Sequence, residues 1–412
     1  MAETLVTAQP RLFPALGLDS GAPRRLSYLD TATTSLTPRP VIEAVAQALS
    51  RGGSAGRSVH ALGLQATEHY ERARGVVARH LGVDAPQIVF VRSATEGLNL
   101  VAEGWARPRL GPGDEVCVSA AEHHSNLLPW RRVCDQRGAR LSIVECDAQG
   151  DLDLDALRRR LSHRTQVLAI THVSNVTGAE TSIPEVARVL AASPAAGAAL
   201  VVDGSQAVPH LRVDLAPKCC DFYVLSGHKA YGPPGIGAVW GTPERWSETQ
   251  PLLVGGGMVT RVGADSIDYA DGPARFEGGT PNVPGAVGLA AGLEFLREHH
   301  DPRHEAALLG AALRVLDQLP RVRVLGAPRR RTGAISFVVE GVHPHDVGSV
   351  LDGYGVAVRA GHHCAQPLLE HFGVGSAVRV SVGLHNDEQD IDRLATALAG
   401  VGPALAPARR SR

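Results

Sequence analysis

Short, largely apolar runs alternate with amphipathic stretches over most of the first 290 residues, and no other feature constrains the fold as much. The runs are IVFV (88–91), EVCVS (115–119), LSIVEC (141–146), QVLAITHV (166–173), ALVVD (199–203), FYVLSG (222–227) and GAVWG (237–241). Helical patterns such as VIEAVAQALS (41–50), TEHYERARGVVARHL (67–81) and IPEVARVLAAS (183–193) lie between them. A strand apolar on both faces is covered on both faces, which is the habit of parallel sheets flanked by helices. The sequence therefore predicts an α/β fold with a mostly parallel seven-stranded sheet in a large domain over 26–290. After about residue 290 the pattern changes. Two long helices (285–299 and 302–318) precede the strands VRVLG, AISFVVE and VAVRA, predicting a smaller C-terminal α+β domain over 291–400. The Pro-rich segment 1–25 is expected to pack on that smaller domain, and the Ala/Pro/Arg tail 401–412 to be disordered.

Several function classes are disfavoured at once. The net charge of −1 offers no overall field to attract nucleic acid or an anionic membrane. No run of 18 or more apolar residues is present to span a bilayer, and the N-terminus lacks a secretory pattern. The six cysteines (117, 134, 146, 219, 220 and 364) show no CxxC spacing, and read as reduced thiols of a cytoplasmic chain. A zinc reading of His362-His363-Cys364 lacks a second ligand cluster.

The stretch SGHKAYGPPGIG (226–237) raises the chemical question. Only two lysines occur in 412 residues, Lys218 and Lys229, against 39 arginines among the 41 basic residues. Arginine replaces lysine for charge and solubility, so a retained lysine points to chemistry that needs a primary amine. Lys218 precedes its strand, whereas Lys229 follows one. Ligands of open α/β sheets gather beyond the carboxyl ends of the strands. Other strand ends are similarly furnished. Ser93 and Thr95 open a helix after 88–91, offering its N-terminus to a phosphate. His123 and His124 follow 115–119, Asn175 follows 166–173, and Asp203 with Gln206 closes 199–203. Any one of these reads equally well as a satisfied polar residue at a strand end. Together they suit pyridoxal 5′-phosphate: an amine for its aldehyde, a carboxylate for its ring nitrogen, a helix N-terminus for its phosphate and a flat imidazole for its ring face.

THVSNVTG (171–178), DGSQAV (203–208), DFYVLSGHKAYGPPGIG (221–237), EHHSNLLPW (122–130), FEGGTPN (276–282) and RAGHHCAQPL (359–368) together closely resemble the SufS-type (group II) cysteine desulfurases. These belong to the class V aminotransferase group of fold-type I pyridoxal-phosphate enzymes, and the resemblance runs in order from Tyr28 to about residue 395. It implies a set of roles. His123 stacks on the pyridine ring, Asp203 binds its nitrogen and Gln206 its hydroxyl. Thr95, Ser226 and His228 hold the phosphate, with Thr280 reaching in from the second subunit of a homodimer. Lys229 carries the cofactor, and Asn175 and Arg379 hold the substrate carboxylate, with Arg359 and His60 also at the substrate. Cys364 accepts sulfur from L-cysteine, leaving L-alanine and a persulfide for a SufE- or SufU-like acceptor protein, as in iron–sulfur cluster assembly.

Some positions depart from the family pattern. Gly56 stands where His is usual and Ser58 where Gly is usual. Thr33 replaces a small Ala near the substrate, and His385 and Asp387 stand where Tyr and Thr are commoner. These changes bear on the substrate rather than the cofactor. A selenocysteine lyase or a specialised C–S lyase is the competing reading, and retention of Cys364 favours the desulfurase. A non-catalytic homologue fits poorly with Lys229, Asp203, His123, Arg379 and Cys364 all present.

Overall fold

The computed structural model describes residues 9–17, 26–56, 58–216 and 219–404. Lys218 and Arg57 lie outside them. So does the tail from 405, although residues 401–404 continue a helix over Glu388–Ala404.

Fifteen strands form four sheets among the described residues. Ser27–Tyr28 (β1) comes first, followed by Ile88–Val91 (β2), Glu115–Ser119 (β3), Arg140–Val144 (β4), Thr165–Thr171 (β5), Ala199–Asp203 (β6), Phe222–Ser226 (β7) and Gly237–Gly241 (β8). The seven strands β2–β8 make one sheet in the order β2-β8-β7-β6-β5-β3-β4, so every run read as a strand in this region is one. Only β8 runs against the others, pairing antiparallel with both β2 and β7.

The lack of polar alternation in these strands has a direct cause. In β6, Leu200 and Val202 join one core cluster while Ala199 and Val201 join the cluster on the opposite face. In β7, Tyr223 and Leu225 divide in the same way from Phe222 and Val224. Helices Ala61–Leu81, Ile183–Ala191 and Val283–His299 contribute to the first cluster, and Ala94–Leu100 and Leu128–Arg137 to the second.

The remaining strands are Val259–Val262 (β9), Ile267–Tyr269 (β10), Val322–Val324 (β11), Ala334–Val339 (β12), Val356–Ala357 (β13), Arg359–Gly361 (β14) and Ala377–Ser381 (β15). β11-β12-β15-β14 form an antiparallel sheet. Helices Pro302–Asp317, Pro344–Gly353 and Glu388–Ala404 share its apolar cluster. The run VAVRA divides into β13 and β14, and β13 pairs with β1 instead of joining this sheet. Strand β15, which carries Arg379, was not anticipated. Near the N-terminus, Phe13 packs on Tyr231, Phe295 and His385.

Candidate active site

The carboxyl ends of β2, β3, β5, β6 and β7 open onto one cavity of about 240 Å³. Thr95, His123, Asn175, Asp203, Ser226, His228, Lys229, Arg359, Cys364 and Arg379 all line it. Of the predicted residues, Gln206, Thr280 and His60 do not. Gln206 lies buried beside the cavity, its Nε2 donating to the Ala32 carbonyl at 2.6 Å. Thr280 is exposed on its own chain. His60 is exposed and caps the helix Ala61–Leu81, its Nδ1 accepting from Gly63 N at 3.2 Å.

Lys229 follows β7 in a short helical turn. The turn is tied down by the segment Thr34–Ser35: the His228 carbonyl accepts from Ser35 N at 2.9 Å, and Tyr231 N donates to Ser35 Oγ at 2.8 Å. Burial pushes the Lys229 pKa down; Asp203 opposes that shift, and Arg379 adds to it. A lysine so placed holds a larger neutral, nucleophilic fraction than a surface lysine. His123, with its Nδ1 accepting from Ser125 N at 3.1 Å, is pushed down to about 4 by burial and by the Lys229 charge. It is therefore neutral at pH 7 and presents a flat uncharged ring. Beneath it, burial raises the Glu122 carboxyl to about 8, against hydrogen bonds from Ser119, Asn126 and Thr171 N that favour its ionised form.

At the opening of the helix after β2, Ala94 N donates to Ser226 Oγ at 2.8 Å and the hydroxyls of Thr95 and Ser125 are hydrogen-bonded at 2.8 Å. Ser93, Ala94, Thr95, Ser226 and His228 line that end of the cavity. Across from it, Asp203 Oδ1 accepts from Ser205 N at 2.9 Å, and Ser205 Oγ is buried with no partner. This donor set fits pyridoxal phosphate: hydroxyls and a helix start for its phosphate, a carboxylate for its ring nitrogen, an amine for its aldehyde and an imidazole for its ring face.

Cys364 enters from the smaller domain on a loop between β14 and the helix Gln366–His371. His363 and Cys364 both take left-handed backbone, at φ 52° and 54°. Each such non-glycine residue costs roughly 1–2 kcal/mol, so surrounding contacts must hold the loop. They do: His124 N donates to the Cys364 carbonyl at 2.7 Å, Asn175 Nδ2 to the His363 carbonyl at 2.8 Å, and His363 Nε2 to the Ala377 carbonyl at 3.0 Å. Arg379, 3% exposed, donates through Nη1 to the Asn175 carbonyl at 3.0 Å and through Nη2 to Asp30 Oδ1 at 3.1 Å and Thr33 Oγ1 at 2.7 Å. Ser125, Ser205, Ala32 and Thr33 also line the cavity. Ser125 and Ser205 sit within motifs already singled out, but no periodicity marks them as lining residues.

Residues 27–394 match the family model described as aminotransferase class-V. A probable cysteine desulfurase of Halalkalibacterium halodurans is 40% identical over 394 residues, covering 94% of this chain and 96% of the relative. A cysteine desulfurase of Cronobacter sakazakii is 41% identical over 395 residues, covering 94% and 95%. Among solved structures, the Escherichia coli cysteine desulfurase CsdA, recorded as an S-sulfonic acid, superposes with a TM-score of 0.87 at 38% identity, covering 96% of this chain and 98% of that one. With the sheet, the strand-end residues and these likenesses in agreement, the chain belongs to the class-V aminotransferase family of fold-type I pyridoxal-phosphate enzymes.

Proposed function

We propose that the chain is a SufS-type cysteine desulfurase, which moves sulfur from L-cysteine to Cys364 and releases L-alanine. One observation carries the reading: the amine of Lys229, the guanidinium of Arg379 and the thiol of Cys364 line a single small cavity. An amine and a carboxylate-binding site alone would suit many amino-acid reactions. A thiol held at the same cavity by the left-handed backbone at His363 and Cys364 suits transfer of a sulfur atom.

In this reading Asp203 faces the ring nitrogen, His123 covers the ring, Gln206 holds the ring hydroxyl, and Thr95, Ser226 and His228 hold the phosphate. Bound pyridoxal phosphate supplies an electron sink for the carbon next to the substrate amino group. Arg379 and Asn175 orient the substrate carboxylate, with Arg359 at the mouth. Lys229, its pKa lowered by burial, takes the proton from that carbon. The Cys364 thiolate then attacks the substrate sulfur. A new S–S bond forms, the Cβ–S bond breaks, and its electron pair goes to Cβ, which takes up a proton; Lys229 then returns a proton to the carbon next to the amino group, giving alanine.

Thr280 is exposed and outside its own cavity, which supports a homodimer in which it reaches the partner's phosphate site. Val59, 96% exposed, and the exposed Leu62 and Leu64 offer apolar surface to that second copy. Since the Cys364 loop is short and pinned at both flanks, a SufE- or SufU-like acceptor must come to the persulfide, in the cytoplasm. The test is one turnover of the holoenzyme with L-cysteine, followed by mass spectrometry of the peptide containing Cys364. A gain of one sulfur atom with release of alanine supports the reading. An unmodified Cys364 while L-cysteine is consumed rules it out.

A further inference from the structure

Arg379 holds an arrangement that matters for any carboxylate entering the cavity. A guanidinium has five N–H donors, and its two-point edges are Nε with Nη2 and Nη1 with Nη2. Both edges therefore run through Nη2. Here Nη2 carries two acceptors, Asp30 Oδ1 at 3.1 Å and Thr33 Oγ1 at 2.7 Å, which are themselves hydrogen-bonded to one another at 2.7 Å. Nε is buried and has no partner. So a charged side chain 3% exposed has an unused donor beside an Nη2 that already carries two acceptors.

Asp30 and Thr33 do not hold Nη2 equally. Asp30 is an anion fixed by its own backbone, which bridges to Ser381, and it accepts a second hydrogen bond from Thr33 Oγ1 at 2.7 Å. Thr33 is neutral, half-buried and lines the cavity. Rotation about one side-chain bond withdraws its hydroxyl, whereas withdrawing Asp30 would break an ion pair.

We propose that the Thr33 hydroxyl occupies the place on Arg379 that a substrate carboxylate must take, making Thr33 a specificity-determining residue for α-carboxylate ligands. This rests on the proposed function for the identity of the ligand, an α-amino acid. On entry, the carboxylate displaces Thr33 Oγ1 from Nη2 and adds the idle Nε, closing the two-point contact. The displacement weakens binding of every α-carboxylate ligand and has no bearing on ligands that lack the charge. A side chain without a hydroxyl at position 33 leaves the fork open.

The holoenzyme, Thr33→Val and Thr33→Ser separate this from a packing role, because valine keeps the shape of threonine and serine keeps the hydroxyl. Equilibrium binding of L-alanine and of L-alanine methyl ester is read from the cofactor's absorbance, with cofactor content per chain as the check on folding. Thr33→Val is expected to tighten L-alanine by about three- to tenfold, a fraction of a charged hydrogen bond, and to leave the ester unchanged, while Thr33→Ser resembles the unaltered chain. If valine perturbs the packing, Thr33→Ala gives the same comparison. Unchanged or weaker L-alanine binding overturns the proposal, as does an equal shift for both ligands. Turnover is not read here: L-alanine binding that responds as expected, in a chain that never loads sulfur on Cys364, would reject the desulfurase function and leave the role of Thr33 standing.

Discussion

The backbone N–H of His124 donates to the carbonyl of Cys364 at 2.7 Å, tying the loop that carries the thiol to the strand end that carries the imidazole pair. The two residues are distant in sequence, and the bond runs from the end of β3 to the smaller domain. The Asn175 side chain makes a second such tie, to the carbonyl of His363. Because His363 and Cys364 both adopt left-handed backbone, the thiol's position depends on these external contacts.

Asn175→Ala removes one of the two ties and leaves the other. Loss of a buried hydrogen bond costs about 1 kcal/mol, about a fivefold change in a local opening equilibrium. Backbone amides over 359–366 are expected to exchange with deuterium about fivefold faster in this variant, with amides of β5 and β6 unchanged. Mass-spectrometric exchange on the holoenzyme checks this. Unchanged exchange in that peptide would mean that the loop is held without Asn175.

Lys229 depends on a close approach from behind. The helix Val283–His299 passes so near the turn after Lys229 that a Cβ on Gly292 would sit 2.6 Å from the Ala230 carbonyl oxygen and 2.7 Å from Gly232 N. Two effects oppose each other in Gly292→Ala. Helix propensity favours alanine by roughly 0.5–1 kcal/mol. Overpacking against main chain, which cannot swing aside as a side-chain tip does, costs about 1–3 kcal/mol. The second wins, so a net loss of about 1–2 kcal/mol is expected in denaturant unfolding, together with weaker cofactor retention on dialysis. Greater stability in the alanine variant would show that the helix has room to shift.

The seven strands of the large sheet are legible because they are largely apolar runs bounded by turns, and the cavity is legible because polar residues follow five of their carboxyl ends. Strand β15 has all five residues buried, yet AVRVS carries an arginine at its centre, which breaks the apolar run. The buried charge of Arg379 is met by partners from remote stretches, Asp30, Thr33 and the Asn175 carbonyl. The hairpin β9–β10 is mostly exposed and carries no apolar alternation to betray it. His60 shows the converse limit. Its place in a family motif suggests the substrate, whereas within one chain it serves as a helix cap. Local pattern reports burial well, but partners drawn from remote or separate segments leave no local trace.

Glu305 is a further case of such a partner, and it gives a pH dependence. It lies in the helix Pro302–Asp317, and its Oε2 meets His210 Nδ1 at 3.0 Å and His300 Nε2 at 3.1 Å. Its Oε1 accepts from Thr332 Oγ1 at 2.6 Å and Gly333 N at 3.0 Å. Burial alone would raise the carboxyl's pKa, but the charge of His210 and these hydrogen bonds together hold it well below the ordinary glutamate range. A carboxyl depressed on folding stabilises the folded chain above its unfolded pKa of about 4.3, and that contribution fades as pH falls below it. His210 follows β6 of the large sheet, whereas Thr332 and Gly333 lead into β12, so the glutamate joins the two domains. Glu305→Gln keeps the shape and removes the charge. Breaking a buried charged pair of this kind is expected to cost about 2–3 kcal/mol at pH 7. The difference between variant and unaltered chain should narrow steadily below pH 4, where the native carboxyl begins to lose its advantage. Urea unfolding of both proteins from pH 7 down to pH 3 measures this. A gap independent of pH over that range would mean that shape and neutral hydrogen bonds, not the charge, hold the domains together at this point.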